Sequence, residues 1–412
     1  MKILGIIAEY NPFHNGHKYQ LEKSKEVSGC DFVVAVMSGN FLQRGEPALC
    51  DKWLRAEIAV KNGIDLVLEL PTAFACNNAE YFAMGAVKLL NGLGCVSHLA
   101  FGSESGKIEE LDNVASFISN MSVEIISDIK SEMKLGLSYP VARNNVFLKN
   151  LGEGASSIAK SPNNNLAIEY LKQLKETNSK IKPITIKRQG SEYNDLEING
   201  NIASATAIRE ALRKSDFDLN SVVAAIPEAT FDTLKEWGID YKPTLYDDFF
   251  EMIRYKALST NSIEISQIFS ISEGLENRIK ESAMTAKNIS QLIAMIKSKR
   301  FTQTRIQRTL IHLLLDLTSN KMNRFMDSSS IYGRVLGISQ NGGVLLNKIK
   351  TEECSTIPIL TNINKEAHKY PNIKELLDFD INASNIYNLG SKTDIYEHSD
   401  YVKRLFLENL QK

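Results

Sequence analysis

The chain has 412 residues, of which 43% are hydrophobic and 24% charged, which is the composition of an ordinary soluble globular protein. Lys and Arg number 48 against 49 Asp and Glu, so net charge does not indicate nucleic-acid binding, and only a local basic patch could do so. The five scattered cysteines lack Cys-x-x-Cys spacing, and no apolar run approaches transmembrane length. We therefore expect reduced thiols and a cytoplasmic protein.

The length exceeds that of a usual single core, which predicts two domains. Strands and helices alternate over residues 1–240, whereas residues 241–412 are mainly helical by pattern. Lys242-Pro243 marks the change and is the predicted boundary.

The first predicted strand, residues 1–8, leads into two histidines at a helix start. Turn signals at Asn11-Pro12 and Asn15-Gly16 precede a predicted helix over residues 18–27, so His14 and His17 fall in the turn. A helix start offers unpaired N–H groups and a positive dipole, which suit a phosphate. Gly16 would let a nucleotide approach the backbone closely.

Two other interpretations of the histidine pair stay open. The residues could be surface histidines in a turn. They could also bind zinc, but two histidines need a further protein ligand, and no nearby cysteine or acidic pair has metal spacing. We predict no protein-bound metal site.

The segment HNGH at residues 14–17 resembles the His-x-Gly-His signature of the nucleotidyltransferase superfamily. The longer string EYNPFHNGH, residues 9–17, is similar to the bacterial tRNA(Met) cytidine acetate ligases. The resemblance implies attack on the α-phosphate of a nucleoside triphosphate.

Four more predicted strands follow the first helix, at residues 31–37, 64–70, 96–101 and 182–188, and helices over 51–62 and 79–90 lie between them. This alternation predicts an α/β fold with a Rossmann-like open parallel sheet. The loop at residues 38–46 should reach the same sheet edge as the histidines, which makes Arg44 a candidate phosphate or substrate contact or a solvated loop arginine. Gly102, at a strand end, is either a ligand contact or a turn glycine.

A helical insertion is predicted over residues 107–150, with helices at 109–118, 123–134 and 140–148. Pro162 then marks another helix start, where three successive asparagines could cap the helix or bind a nucleotide. The fifth strand ends on the cations Lys187 and Arg188.

Residues 204–209, SATAIR, head a helix that runs to about residue 214. Ser204 is a good N-cap, and capping alone would explain it. The string also resembles the second nucleotidyltransferase signature, Ser-x-Thr-x-x-Arg, whose hydroxyls and arginine hold the β- and γ-phosphates.

The resemblance carries site residues over by position. It implies His14, His17 and Arg209 as catalytic residues. It implies that ATP is bound by Ile7, Glu9, Tyr10, Asn11, Pro12, Phe13, His14, Asn15, Gly16, His17, Gln20, Gly102, Asn163, Arg188, Ser204, Thr206 and Arg209. Lys187, the other cation at the end of the fifth strand, is predicted as an auxiliary ATP contact. Asn163 is chosen among three neighbours, Asn163, Asn164 and Asn165, that the sequence does not separate.

Beyond residue 241, helices are predicted over 246–258 and 276–286, followed by a basic segment. Phe301 lies within this segment and could stack on an unpaired base if exposed. Its cations are predicted to contact an RNA backbone. They are Lys297, Lys299, Arg300, Arg305 and Arg308. The alternative is a solvated helix face whose apolar side packs on the core. Residues 332–360 indicate a small mixed α/β region.

The leading hypothesis is an ATP-dependent ligase. By resemblance, acetate and ATP give acetyl-adenylate, with Mg²⁺ offsetting phosphate charge, and the acetyl group passes to the wobble cytidine of elongator tRNA(Met). One alternative is an adenylyltransferase acting on a phosphorylated small molecule. The other is an inactive RNA-binding protein.

Overall fold

The structure is a computed structural model that describes residues 1–188, 200–240, 242–272 and 274–408. Its strands are β1 (Ile3–Ala8), β2 (Phe32–Ser38), β3 (Leu66–Leu70), β4 (His98–Ser103), β5 (Lys182–Lys187), β6 (Gly333–Ile338), β7 (Ile359–Leu360) and β8 (Phe406–Leu407). The helices of the first half are α1 (Asn15–Ser28), α2 (Lys52–Lys61), α3 (Thr72–Ala75), α4 (Ala79–Gly92), α5 (Ile108–Ser119), α6 (Val123–Lys134), α7 (Tyr139–Lys160), α8 (Pro162–Glu176), α9 (Ala205–Lys214) and α10 (Glu228–Asp240). Those of the second half are α11 (Phe250–Ser259), α12 (Ser262–Ser266), α13 (Leu275–Thr285), α14 (Ile289–Ile296), α15 (Gln303–Leu314), α16 (Ser319–Phe325), α17 (Gln340–Thr351), α18 (Ile363–Glu366) and α19 (Lys374–Ser391).

The sheet runs in the order β5-β4-β1-β2-β3-β6-β7, with β8 also paired to β6. Strands β1 to β5 are parallel, which confirms the predicted open parallel sheet. The order reverses between β1 and β4, because β2 and β3 lie on one side of β1 while β4 and β5 lie on the other. Such a reversal opens a crevice at the carboxyl ends of the strands, where ligands bind in open α/β sheets.

Both faces of the sheet are covered, because alternate strand residues enter different cores. In β2, Val34 and Val36 belong to the larger core, whereas Val33 and Ala35 belong to the smaller one. The smaller core includes apolar residues of α2 and α9, and the larger one those of α4, α8 and the helices after residue 248. This double burial explains why β2 reads as a continuous apolar run.

The helical insertion is present and longer than predicted. Helix α7 extends to Lys160 and is interrupted at Gly152, whose φ of 81° is left-handed. Only glycine adopts this conformation at low cost, so the chain bends there before α8 begins at Pro162.

The second half of the chain completes the sheet. Strand β6 pairs antiparallel with β3, and β7 and β8 extend it from β6. The sequence predicted a mixed α/β region here, but not that its strands join the first-half sheet. The division of the chain after residue 240 stays a prediction, and Tyr241 lies outside the described residues.

A buried ionic cluster reinforces this junction. The ammonium of Lys52 lies 2.7 Å from Glu69 and 2.8 Å from Asp400, and Arg334 lies 2.6 Å from Asp400. All four side chains are at most 3% exposed. Because an unpaired charge would be costly at such depth, the cluster ties the residues around 400 to α2, β3 and β6.

Within the described ranges, no helix is long and apolar enough to cross a membrane.

Candidate active site

The amino end of α1 holds two histidines that cap the helix reciprocally. The Nδ1 atom of His14, the N-cap residue, accepts a hydrogen bond from the backbone N–H of Gly16 at 3.1 Å. The Nδ1 atom of His17 accepts from the backbone N–H of His14 at 3.3 Å. An imidazole that accepts at Nδ1 carries its proton on Nε2 when neutral. The backbone therefore sets both rings as Nε2–H donors.

The electrostatic surroundings keep these rings neutral. Burial, followed by the charges of Arg188 and Arg209, lowers the pKa of His14 to about 3. Burial, followed by the neighbouring His14 and then Arg188, lowers the pKa of His17 well below its ordinary value. The rings stack with centroids 3.7 Å apart, which also disfavours a second charge. At neutral pH the site thus presents two uncharged donors beside two guanidinium groups.

The second signature lies at the amino end of α9. Ser204 is its N-cap, and its hydroxyl accepts a hydrogen bond from the N–H of Ala207 at 3.0 Å. One turn further, the guanidinium of Arg209 donates to the backbone carbonyl of Asn11 at 2.9 Å and lies 3.7 Å from Glu46. Arg209 therefore joins the two signatures in space.

A cavity at the carboxyl ends of β1, β2 and β4 brings most of the predicted ATP-binding residues together. Twelve of them line it: Ile7, Glu9, Tyr10, His14, His17, Gln20, Gly102, Asn163, Arg188, Ser204, Thr206 and Arg209. Arg44, the candidate from the loop after β2, lines it too.

Six other predicted residues do not line this cavity. Gly16 and Lys187 line a smaller adjoining space together with both histidines. Pro12 and Phe13 are buried, and Phe13 packs against the His17 ring. The last two residues make structural hydrogen bonds: Asn11 accepts from the N–H of Leu49, and Asn15 donates to the carbonyls of Asn201 and Ala224.

The three asparagines of α8 differ in position. Asn163 lines the cavity, and its amide donates to Glu104 at 2.7 Å. Asn164 accepts from the backbone N–H groups of Glu104 and Ser105, and Asn165 accepts from Arg143. Asn163 is thus the one placed to reach a ligand.

Sequence reasoning missed part of the lining. The loop after β2 contributes Leu42, Gln43 and Glu46 besides Arg44. The only signal was that loop's position after a buried strand. The apolar wall consists of residues whose sequence pattern is that of core: Phe82, Phe101, Leu166 and Tyr170.

The five cations of the basic segment, residues 297–308, do not form one exposed helix face. Lys297, Lys299 and Arg300 are exposed, and they lie in the connection between α14 and α15. Arg305 instead donates to the hydroxyl of Ser272 at 2.9 Å and packs over Phe301. Phe301 is only 5% exposed and its ring packs with the core, so the exposure that stacking on a base requires is not met.

Arg308 faces the loop after β2, residues 38–46. Its guanidinium donates to the carbonyl of Gln43 at 3.3 Å, and burial lowers its pKa. A guanidinium committed to this loop is poorly placed for an RNA phosphate. Three of the five predicted RNA-binding cations are therefore exposed, whereas Arg305 and Arg308 are partly buried.

Comparison with known proteins gave a match over nearly the whole chain. The family model described as HIGH nucleotidyl transferase matches residues 1–401. A tRNA(Met) cytidine acetate ligase of Thermoanaerobacter sp. (strain X514) is 41% identical over 98% of this chain and 99% of its own length. One of Clostridium tetani is 40% identical over 99% of this chain and all of its own length.

Two crystal structures of Thermotoga maritima TmcAL are similar to this chain, each at 32% identity over 99% of this chain and all of that one. The apo form I has a TM-score of 0.92. The form bound with alpha-thio ATP has a TM-score of 0.90.

Proposed function

The chain belongs to the family of tRNA(Met) cytidine acetate ligases, and we propose that it works in two steps. Acetate first attacks the α-phosphate of ATP and gives acetyl-adenylate and pyrophosphate. The exocyclic amine of the wobble cytidine of elongator tRNA(Met) then takes the acetyl group. Because its RNA substrate is cytoplasmic, we propose a cytoplasmic location.

The observation that carries this proposal is the pair of preset Nε2–H donors of His14 and His17. Acetate is a weak nucleophile, so the first step depends on alignment and on stabilising charge that builds on the phosphate. Donors fixed by backbone hydrogen bonds need no reorganisation during the reaction. Neutral rings can donate without losing a proton to the phosphate.

The leaving pyrophosphate would lie toward α9. Thr206 and Arg209 line that side of the cavity, and the amino end of α9 adds its N–H groups and dipole. Arg209 is held by the carbonyl of Asn11, in the turn just before the first signature. One guanidinium would thereby couple the geometry at the α-phosphate to that at the leaving group.

The nucleoside would lie on the β4 and β5 side. A Cβ at Gly102 would lie 3.4 Å from the Arg188 side chain and 3.8 Å from Gln20, so the glycine leaves room between cavity-lining groups. Asn163 faces the same space. We propose that these four residues surround the adenosine.

Mg²⁺ would enter with the nucleotide. Among the described residues, no group of three or more His, Cys, Asp or Glu side chains could hold a metal ion. Mg²⁺ commonly binds phosphate oxygens and water with one or two carboxylates, and Glu46 is the carboxylate beside Arg209. The ion would offset negative charge on the phosphates.

For RNA, we propose that residues 241–412 supply the main contact surface. The exposed cations Lys297, Lys299 and Arg300 carry this part of the proposal. Exposed cations at this spacing can lie along a phosphate backbone and neutralise its charge.

The test is isotope exchange between radiolabelled pyrophosphate and ATP. We expect exchange that depends on acetate and is weak with longer or phosphorylated acids. Exchange with a phosphorylated small molecule instead of acetate would favour a plain adenylyltransferase, and no exchange would favour an inactive RNA-binding protein. Nucleoside mass spectrometry of tRNA from cells lacking the protein provides the second measurement, and unchanged acetylcytidine would contradict the proposal.

A further inference from the structure

The carboxylate of Glu9 faces the side of the cavity away from the proposed adenosine site. Glu9 follows β1, and its Oε1 atom accepts a hydrogen bond from the backbone N–H of Gln43 at 2.8 Å. Gln43 lies in the loop after β2, whereas Gly102 lies near the end of β4 and Arg188 follows β5. Since β1 separates β2 from β4, the carboxylate points toward the β2 side. The backbone of the first signature can still contact ATP.

This carboxylate lies in a cavity proposed to receive two anions, ATP and acetate. Like charges in a partly enclosed site repel each other. An ionised carboxylate there is therefore stabilised by a hydrogen-bond donor. The other cavity carboxylate, Glu46, has such partners, because it accepts from Gln307 at 3.0 Å and lies near Arg209. Among the described residues, the Glu9 carboxylate accepts one hydrogen bond, from the Gln43 N–H, which uses one oxygen. The buried guanidinium of Arg55 donates to the Glu9 backbone carbonyl at 2.7 Å and offsets part of the carboxylate charge.

The residues around Glu9 restrict which kind of group could donate a hydrogen bond to its second carboxylate oxygen. Tyr170 lines the same cavity and is 3% exposed. Burial, and then the charge of Glu9, raises the pKa of Tyr170 well above its ordinary value. Glu9 and Tyr170 thus line the same cavity, whose apolar wall also includes Phe82. A flat group that carries an N–H would fit this combination.

We propose that Glu9 binds the exocyclic amine of the target cytosine and accepts its proton during acetyl transfer. The amine is a hydrogen-bond donor, and carboxylates are its usual protein acceptors. This inference rests on the proposed function and assigns the acceptor side of that site.

The nitrogen lone pair attacks the acetyl carbonyl carbon and forms a C–N bond. The bond from this carbon to the phosphate oxygen breaks, and AMP leaves with the electron pair. The nitrogen proton moves to the Glu9 carboxylate, and the products are acetylcytidine, AMP and a protonated Glu9 that later returns its proton to water.

The experiment measures acetyl transfer from preformed acetyl-adenylate to an elongator tRNA(Met) transcript. Enzyme and acetyl-adenylate are in excess over tRNA, so that one turnover at saturation is observed and ATP activation is bypassed. In Glu9→Gln, an amide oxygen remains to accept from Gln43, but no carboxylate can take the proton. We expect the transfer rate constant to fall about 100-fold or more, in the range of general-base loss.

The pH dependence separates base catalysis from positioning. The wild-type rate constant for acetyl transfer should fall at acidic pH, because a protonated carboxylate cannot accept the proton. This fall is the acid limb of the pH profile, and Glu9→Gln should lack it. Glu9→Asp, which keeps a carboxylate, should retain the limb with an intermediate rate. Glu22→Gln, an exposed charge change on α1, is the matched control for overall charge.

A transfer rate constant for Glu9→Gln within about threefold of wild type would overturn the inference, since such changes are ordinary context effects. So would a Glu9→Gln enzyme that keeps the acid limb, because the base would then lie elsewhere. If Glu9→Gln does not fold, the pH profile of Glu9→Asp is the test. Absence of the acid limb from that profile would overturn the inference. Failure of the proposed function is distinguishable, because the wild-type enzyme itself would then transfer nothing.

Discussion

Gly45 and Arg308 pack backbone against backbone, so that a Cβ at Gly45 would lie 2.2 Å from the amide nitrogen of Arg308. The positive φ of 77° at Gly45 likewise favours glycine. The loop after β2 and helix α15 are therefore in direct contact. At about 1.5 Å per residue, the helix start at Gln303 lies only about 8 Å along the axis from Arg308. An RNA held at the preceding connection would thus lie close to the cavity.

The first prediction concerns that connection. Replacing Lys297, Lys299 and Arg300 together by alanine should weaken tRNA binding, because each cation that neutralises a phosphate releases counterions. The slope of log affinity against log salt should become shallower by about one for each lost phosphate contact. Filter binding across a salt series measures this slope.

A charge-matched control replaces Lys130, Lys134 and Lys160, which are exposed on α6 and α7. Its salt slope should stay that of the wild type. Pyrophosphate exchange without tRNA reports on the ATP site alone. Loss of exchange with unchanged tRNA affinity would contradict the assignment of the connection to RNA.

A second prediction tests the preset donors. His17→Ala should lower acetate-dependent pyrophosphate exchange by roughly a hundredfold or more, as when one preorganised transition-state donor is removed. His98→Ala is the matched control, because His98 begins β4 at the opposite end of the strand from the cavity. Exchange by His17→Ala within about threefold of wild type would show that the imidazole is structural.

A third prediction follows from His312, which is 1% exposed and whose Nε2 lies 2.7 Å from the carbonyl of Cys76. Burial lowers its pKa to about 4, so between pH 6.5 and 4 the unfolded chain binds a proton that the folded protein does not. The free energy of unfolding must therefore fall as pH falls through this window. From pH 7 to pH 5, this residue should contribute a loss of about 2 kcal/mol.

Urea denaturation of the wild type and of His312→Gln at both pH values checks this. The glutamine can still donate to Cys76 but does not titrate, so its loss between pH 7 and pH 5 should be smaller by about 2 kcal/mol. An identical loss in both proteins would mean that His312 is protonated in the fold.

A fourth prediction uses two neighbouring glycines of α17. A Cβ at Gly342 would lie 1.8 Å from the carbonyl oxygen of Asp65, whereas nothing lies within 4 Å at Gly343. Gly342→Ala should destabilise the protein by about 1–3 kcal/mol through overpacking. Gly343→Ala should stabilise it by up to about 1 kcal/mol through helix propensity. Equal midpoints of urea denaturation in the two variants would contradict this packing.

The strands and helices of the first half could be predicted because their signals are local. Strand β2 reads as apolar on both faces because both faces are buried, and Asp51 caps α2 as its residue type indicates. The sequence predicts the first helix from residue 18, whereas α1 begins at Asn15, since histidine is not an ordinary N-cap residue. Its cap depends on a ring orientation that the sequence does not display.

Long-range contacts account for the rest. The sequence of β6 does not indicate that β3 is its partner, because antiparallel pairing between distant segments leaves no local pattern. The exposure of a basic segment is equally invisible. Phe301 and Arg308 have the residue types of an RNA surface, but one packs on the core and the other on the loop after β2.

The pairing of β6 with β3 has a consequence for synthesis of the chain on the ribosome. Until β6 emerges, one edge of β3 presents backbone N–H and C=O groups that lack their antiparallel partner, on a strand whose five residues are all buried in the finished fold. Translation at roughly 5–20 residues per second would leave that edge open for some tens of seconds. Such edges recruit strands from other molecules. The nascent chain would thus need protection for that interval, and a fragment ending at residue 240 should aggregate even though it carries both nucleotide signatures.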